Sequence, residues 1–534
     1  MIETFKINAL NAYQKGRTTL AANQHLVLLF FIVVLGLSLR LYGIGFDLPN
    51  LYHPDEDAVV MPALNILKTG DWRPARLEYG SLHIYTLTAV FAIVYSLLAR
   101  DGQIPGGIQS LPIFQRGDFP AVYPIPEFFI AARAVSAIMG GATVFLVYLL
   151  GVRLGGKRLG LLAAAFTAVS PYHVADAHFS TTDTPLFFWV TLALYLIVRV
   201  HDNWESDTVW AFIGAGFIAG LATSTKYNGV VLFVPLIILP FFHLKSLEDI
   251  VRFRTVSGVM AMGAGFVAGT PFALLDIPHF LGWFSYALRE YAEPTGRTIA
   301  TWQWHLNFHL NRPHAILFIL GMFGFFYSFY KWGKKGVLLN SFALALFYAV
   351  LNQTNVQARM WQPASMVVYL WAALVIEWIL DRLGEWQRIA QWQQYIQYAP
   401  AFLLLPLMLV SMQYGRNFQS GDVRTQAGNW IRTNLPEGTH IAGDYFMPNV
   451  NPDKWPSTRS FHLYQNDVSF YQQQGVEYLI LNEALLDFNR FSPELIENYE
   501  TMLEQVCLVE TINGSFLGTT NFDIKVYQTP PCTG

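Results

Sequence analysis

Charge is what this sequence has least of. Only 13% of its 534 residues are Asp, Glu, Lys or Arg, about half of the roughly 25% that soluble domains carry. No basic surplus exists either: the net charge is −3, which gives no support for nucleic-acid binding. Cysteine is nearly missing, with two residues, so one disulfide at most can form. No low-complexity segment and no repeat of solenoid length is present. No small-residue cleavage site follows the first apolar run, which therefore reads as a retained helix and not as a removable signal. What fills the chain is apolar: 53% hydrophobic residues and 15% aromatics, with a mean hydropathy of +0.33. This is the composition of a polytopic α-helical membrane protein whose Trp and Tyr line the interfaces.

Candidate spans lie near 26–46, 82–99, 128–150, 159–175, 184–199, 208–223, 229–243, 256–275, 315–330, 337–351, 363–380 and 399–414. Short basic turns orient them. They are the arm 1–25 with Lys6, Lys15 and Arg17, then Arg153, Lys157 and Arg158, then Lys245, Arg252 and Arg254, then Lys331, Lys334 and Lys335, then Arg382 and Arg388. All of these share one side only if 82–99 does not fully cross, so that segment is predicted to be a juxtamembrane or re-entrant helix. About 11 crossings then remain, with the N-terminus cytoplasmic and the C-terminus outside the plasma or inner membrane. The acidic loop at 47–81, the turn at 180–185, Lys226, the loop at 277–313, Arg359 and everything after 414 face outward.

From about 415 the composition changes to that of a small extracytoplasmic α/β domain, 415–534. Helices are predicted over Thr425–Leu435 and Pro493–Leu503. Strands are predicted over His440–Ala442 and Val476–Asn482, with a hairpin near 506–512 and 522–528. Cys507 and Cys532 flank that hairpin, either as a disulfide or as two free thiols.

Within the transmembrane unit, 26–414, the run His53-Pro54-Asp55-Glu56-Asp57 concentrates acid at a membrane face, where desolvating a carboxylate is costly. A carboxylate that removes a proton from a substrate is one reason for it, and a solvated loop start the other. Adjacent residues point different ways, so one of Asp55 and Glu56 can face a cavity while the other makes a structural pair. Asp183, in Ser180-Thr181-Thr182-Asp183-Thr184-Pro185, is either a helix N-cap or a second functional carboxylate. Asp55 and Asp183 together are the candidates for holding a divalent cation with a phosphate. Lys226 and Tyr227 sit in a polar break, Thr223–Gly229. The lysine there either snorkels or meets a phosphate. Arg133 and Arg359 open helices from the outer side and suit a carboxylate or phosphate. His279, His305, His309 and His314 read as interface or groove residues, since no Glu base or Cys joins them as a zinc site requires.

As a set these motifs resemble the GT-C glycosyltransferases, the superfamily of protein O-mannosyltransferases and the aminoarabinose transferase. His53-Pro54-Asp55-Glu56 running on to Gly70-Asp71-Trp72 is similar to the family's first outer loop. Arg133 with Ser136 resembles its following helix, and Asp183-Thr184-Pro185 its second acidic motif. Gly220–Gly229 resembles a stretch of the bacterial branch, and Arg359–Pro363 a late Arg-aromatic pattern. The likeness covers roughly 26–415. It implies an inverting transferase that uses a polyprenyl-phosphate sugar, with a lipid, glycan or protein acceptor and membrane lipid around it. Asp55 would be the base, Glu56 a supporting carboxylate, Asp183 an orienting group, and Lys226, Arg359 and Arg133 phosphate partners. His53 and Tyr227 would border the substrate. The family's Lys-Pro-Pro or His-Pro-Pro is missing; Glu78-Tyr79-Gly80-Ser81-Leu82-His83 stands there instead. The competing reading is a lipid or sugar transporter or flippase. It is disfavoured because ionisable groups gather at one face and not at the midplane. A scaffold role explains the outer domain but not the acidic loop.

Overall fold

In hydrocarbon a backbone N–H finds no partner outside its own segment, so the apolar runs fold as helices. The computed structural model describes residues 23–532 except 54, 114–121, 207, 247, 250–252, 293–299, 355–356, 386–391, 393–394, 396–398, 445–446, 461, 484–492 and 515–521. Lys6, Lys15, Arg17, Arg252, Arg388 and Pro54 thus lie outside the described residues. α1 (Gln24–Leu41) leads to α2 (Asp57–Thr69) and α3 (Leu82–Arg100). α4 (Glu127–Gly155) is followed by α5 (Lys157–Ala168), the short α6 (Pro171–Asp176) and α7 (Asp183–Asp202). α8 (Val209–Thr225) passes through a 3-10 turn, Tyr227–Leu232, into α9 (Phe233–Phe241). Then come α10 (Phe253–Gly269), α11 (Phe272–Leu275), α12 (Ile277–Ala292) and α13 (Thr301–Leu310). α14 (Ala315–Trp332), α15 (Lys334–Leu351), a 3-10 turn at Ala358–Trp361, α16 (Gln362–Glu385) and α17 (Pro400–Ser420) complete the bundle.

Seven of the described helical stretches are long and apolar enough to cross a membrane: α1, α3, α4, α7, α14, α15 and Ala358–Glu385. Phe326 and Phe402 stand 73% and 80% exposed, a cost in water that lipid removes. The run 159–175 is split in two, because Pro171 has no N–H and holds Ser170 extended (ψ 115°). α3 runs without an internal break: Leu82–Arg100 contains no Gly or Pro. Both of its flanks touch the connections on either side of α2. Tyr85 donates to the Trp72 carbonyl (3.0 Å). Beyond its end, Lys68 of α2 donates to the Leu111 carbonyl (2.7 Å), and the Tyr123 N–H to that of Pro49 (2.8 Å).

α8 and α10 touch backbone to backbone. A Cβ on Gly216 would sit 1.9 Å from the Gly258 carbonyl oxygen, and one on Gly220 2.1 Å from that of Met262. Gly216-x-x-x-Gly220 is thus a small-residue contact face. It draws α8's end to the α10–α11 connection, where the Ser224 and Thr270 hydroxyls bond (2.7 Å) and Ser81 N–H donates to Thr270 Oγ1 (3.2 Å).

The C-terminal domain begins with α18 (Val423–Asn434), N-capped by the Asp422 carboxylate. Its sheet has the order β2-β1-β3-β5-β4, from β1 (Ile441–Gly443), β2 (Ser457–Arg459), β3 (Tyr478–Asn482), β4 (Cys507–Ile512) and β5 (Ile524–Gln528). β1 pairs parallel with β2 and β3, and β5 pairs antiparallel with β3 and β4. α19 (Val468–Gln473) and α20 (Pro493–Leu503) complete it. Cys507 and Cys532 are disulfide-bonded, Cα to Cα 6.2 Å.

Gly220→Val should drive a side chain into the Met262 carbonyl and cost about 1–3 kcal/mol or more. Gly263→Val, on the open side of the same pair of helices, should cost little. Thermal unfolding in detergent compares the two; equal losses would refute the contact.

Candidate active site

Asp55 and Glu56 leave the chain in opposite directions. Glu56 turns inward and is 1% exposed. Arg133 forks onto it through Nε and Nη2, both at 2.8 Å, and the Ser180 N–H adds a third bond at 2.8 Å. Arg133 is satisfied in turn by the carbonyls of Ile44 (3.1 Å) and Phe46 (2.9 Å), with its guanidinium 4.0 Å over the Phe46 ring. Glu56 is therefore a structural pair of the loop, and Arg133 is engaged with it and not turned toward a phosphate.

Asp55 faces the other way, onto the guanidinium of Arg359. That guanidinium also approaches Asp183 (Nε to Oδ2 3.7 Å), and Asp183 Oδ1 accepts from Lys226 at 2.7 Å. Asp55, Arg359, Asp183 and Lys226 so form one alternating row. It is drawn from the α1–α2 loop, the turn before α16, the N-terminus of α7 and the end of α8. Burial alone would raise the Asp55 carboxyl; the Arg359 charge, helped by His53 and Lys226, instead holds it at about 2. Gln357 fixes Arg359 by accepting from its Nε (2.7 Å). His53 accepts the Asp55 N–H on Nδ1 (3.2 Å) and packs on Phe179, ring centroids 4.3 Å apart. Tyr227 donates to the Leu77 carbonyl (2.6 Å) and so pins the 77–79 loop, whose Tyr79 ring lies 5.4 Å from Lys226 Nζ.

The four histidines do not form one cluster: His305, His309 and His314 gather around Trp361, and His279 lies apart. His279 lies against the Pro74 carbonyl (3.1 Å), Trp361 donates to His305 (2.6 Å), and His309 bonds His314 (3.0 Å). Among the described residues no three or more His, Cys, Asp or Glu side chains gather where a metal ion would be held. Asp55 and Asp183, the pair offered as metal ligands, each face a cationic side chain.

One residue escaped the reading of the sequence. Asp176 ends α6, and its Oδ2 is buried with no hydrogen-bond partner among the described residues. Burial, with the Asp183 charge adding to it, pushes its carboxyl up to about 7 against the pull of Arg359 and Lys226. The Ser170-Pro171 break was its only signal. By hydropathy the apolar run reads to 175, and Asp176 falls just past its end.

The model of the dolichyl-phosphate-mannose-protein mannosyltransferase family matches residues 128–271, a stretch that holds Arg133, Asp183 and Lys226. No curated protein matches the sequence. The oligosaccharyltransferase AglB from Archaeoglobus fulgidus, in complex with an inhibitory peptide and a dolichol-phosphate, superposes with a TM-score of 0.55 at 15% identity. It covers 87% of this chain and 70% of its own. ArnT from Cupriavidus metallidurans gives 0.52 at 13% identity in the apo state, over 95% of this chain and 98% of its own. Bound to undecaprenyl phosphate, it gives 0.52 at 12%, over 96% and 99%. The fold is that of the GT-C glycosyltransferases.

Two outcomes follow from the geometry. Glu56→Gln leaves the Arg133 charge buried and uncompensated, and should cost about 3–5 kcal/mol in thermal unfolding. Glu56→Met with Arg133→Met should cost less than the two single changes summed. Asp176 is the second. Its folded pKa of about 7 stands above the ordinary 3.8, so its contribution is full below the ordinary value and is lost as pH rises through 7. Asp176→Asn should match wild type near pH 4 and exceed its melting temperature at pH 8. A constant difference at both pH values would rule this out.

Proposed function

We propose that this chain is an inverting membrane glycosyltransferase, moving a sugar from a polyprenyl-phosphate donor to an acceptor hydroxyl at the outer face of the membrane. The observation that carries the reading is the buried row Asp55–Arg359–Asp183–Lys226, a carboxylate for the acceptor next to two cations for a phosphate. In the reaction the acceptor oxygen bonds to the anomeric carbon while the bond from that carbon to the phosphate oxygen breaks. The acceptor proton passes to Asp55. The charge that develops on the lipid phosphate is met by Arg359 and Lys226. A phosphate departs readily, so one base with fixed cations suffices, whereas a glycoside hydrolase needs two carboxylates flanking the bond. Asp183 orients both cations, Glu56 and Arg133 fix the loop, and His53 and Tyr227 hold the backbone on either side of the site.

The carrier finds support in the dolichol-phosphate and undecaprenyl phosphate named with the two similar structures. The proposed topology has about 11 crossings, a cytoplasmic N-terminus, α3 lying juxtamembrane and the C-terminal domain outside. The Cys507–Cys532 disulfide supports that side for the domain. The acceptor is a lipid, glycan or protein hydroxyl.

Mass spectrometry of polyprenyl-linked sugars in cells lacking the protein tests the reading. One lipid-linked sugar should accumulate in the null and in cells carrying Asp55→Asn, and not with wild type. No accumulation in the null would return the weight to transport. Accumulation in the null that Asp55→Asn fully relieves would remove Asp55 as the base.

A further inference from the structure

We propose that the C-terminal domain positions Asp55, by clasping the loop that carries it; this rests on Asp55 being the base. The end of α17 and the start of α18 reach back onto residues 42–52. Tyr42 donates to Gln419 (2.7 Å). The Phe418 ring lies 4.5 Å from Phe46 and 4.2 Å from His178. The Asp47 carboxylate accepts the Asp422 N–H at 2.8 Å and the Thr425 hydroxyl at 2.7 Å, both on one oxygen. Arg424 is 8% exposed. It forks onto Asp422 (2.8 and 2.9 Å), donates its remaining Nη1 to the Tyr52 carbonyl (3.1 Å) and lies 4.3 Å over the Tyr52 ring.

These contacts fall on the two places where the loop most needs fixing. Asp47 has φ +57°, the one positive value at a non-glycine among the described residues. A side chain holds that conformation at a cost unless its surroundings impose it. Here the imposing groups, Asp422 N–H and Thr425 Oγ1, belong to the C-terminal domain. The Tyr52 carbonyl is the second anchor, and only His53 and Pro54 separate Tyr52 from Asp55. His53 carries the restraint onward, since it accepts the Asp55 N–H and packs on Phe179. Glu56 is pinned from the membrane side by Arg133. Asp55 therefore stands between two anchors of different origin, one in the bundle and one in the C-terminal domain. A displacement of about 1 Å at a reacting group costs on the order of 10²-fold in rate, so release of one anchor is enough to disable it.

The test uses the full chain in nanodiscs with Thr425→Val, Arg424→Gln and the conservative Thr425→Ser. Hydrogen exchange of the peptide covering 47–57 should speed up on the order of fivefold or more for Val and Gln, the loss of about one hydrogen bond. Thr425→Ser should match wild type, and peptides from β1 and β3 should stay unchanged. In cells, consumption of the lipid-linked sugar that accumulates in the null should fail for Val and Gln at wild-type protein levels and persist for Ser. Unchanged exchange at 47–57 overturns the clasp. A loosened loop with full consumption overturns its positioning role. Full consumption by Asp55→Asn, by contrast, removes the reading of Asp55 as base, and exchange alone then decides whether the clasp exists.

Discussion

The end of the bundle that carries the 42–56 loop is organised around one buried guanidinium. Arg133 joins three separate stretches of chain: the loop before α2 through Glu56, Ile44 and Phe46, its own helix α4, and the α6–α7 connection through Ser180, which shares Glu56 with it. A buried ion pair adds little net stability, because desolvation consumes most of the Coulombic gain. What it does add is place: a misplaced Glu56 or Arg133 would leave a charge unpaired in a site 1% exposed. Asp55 adjoins Glu56, and Asp183 lies just beyond Ser180, so the fork that fixes Glu56 also helps bring Asp55 and Asp183 to one row.

The bundle beneath uses the same economy of polar groups. Arg40 lies inside α1, where an ionisable residue is first suspected of function. Its partners are the carbonyls of Gly36 (2.7 Å), Ala168 (3.0 Å) and Thr167 (3.0 Å). The last two end α5, where unpaired carbonyls concentrate negative charge. Arg40 is thus a helix cap delivered from a neighbouring helix, and Pro171 is the reason α5 ends there. That termination starts the connection from Ser170 to Thr182 that leads into Asp183 of the row.

Much of this was legible in the sequence, because hydropathy reports burial in lipid and each predicted apolar run contains a helix. The ends of those runs also marked Asp183 and Lys226, since a polar residue that interrupts an apolar run shows without any knowledge of the fold. Pairing was not legible. Asp55 and Glu56 are neighbours of similar chemistry, and only the position of Arg133 and Arg359 in space separates their fates. Asp176 was hidden because Pro171 breaks a run that hydropathy alone reads as continuous. β2 escaped because Ser457-Thr458-Arg459 is short, polar and at the sheet edge. The cysteines stood open between thiols and a disulfide, because hairpin register decides whether their ends meet; Cys507 pairs opposite Gln528, four residues before Cys532.

On the proposed reading, the resting row is complementary to itself, and this sets the order of events. Arg359 holds Asp55 at about 2, too weak a base to take a proton early. A donor phosphate competes for the same guanidinium and for Lys226, with a charge and geometry that suit arginine as well as a carboxylate does. To the extent that Arg359 turns to the phosphate, the burial that raises the Asp55 carboxyl is less opposed, and its affinity for a proton grows. The base so gains strength when the leaving group is in place. Lys226 shares Asp183 with Arg359 in the resting row, so a second cation is at hand for the phosphate while Arg359 is divided between its partners. On this reading the row couples occupancy of the phosphate position to the basicity of Asp55.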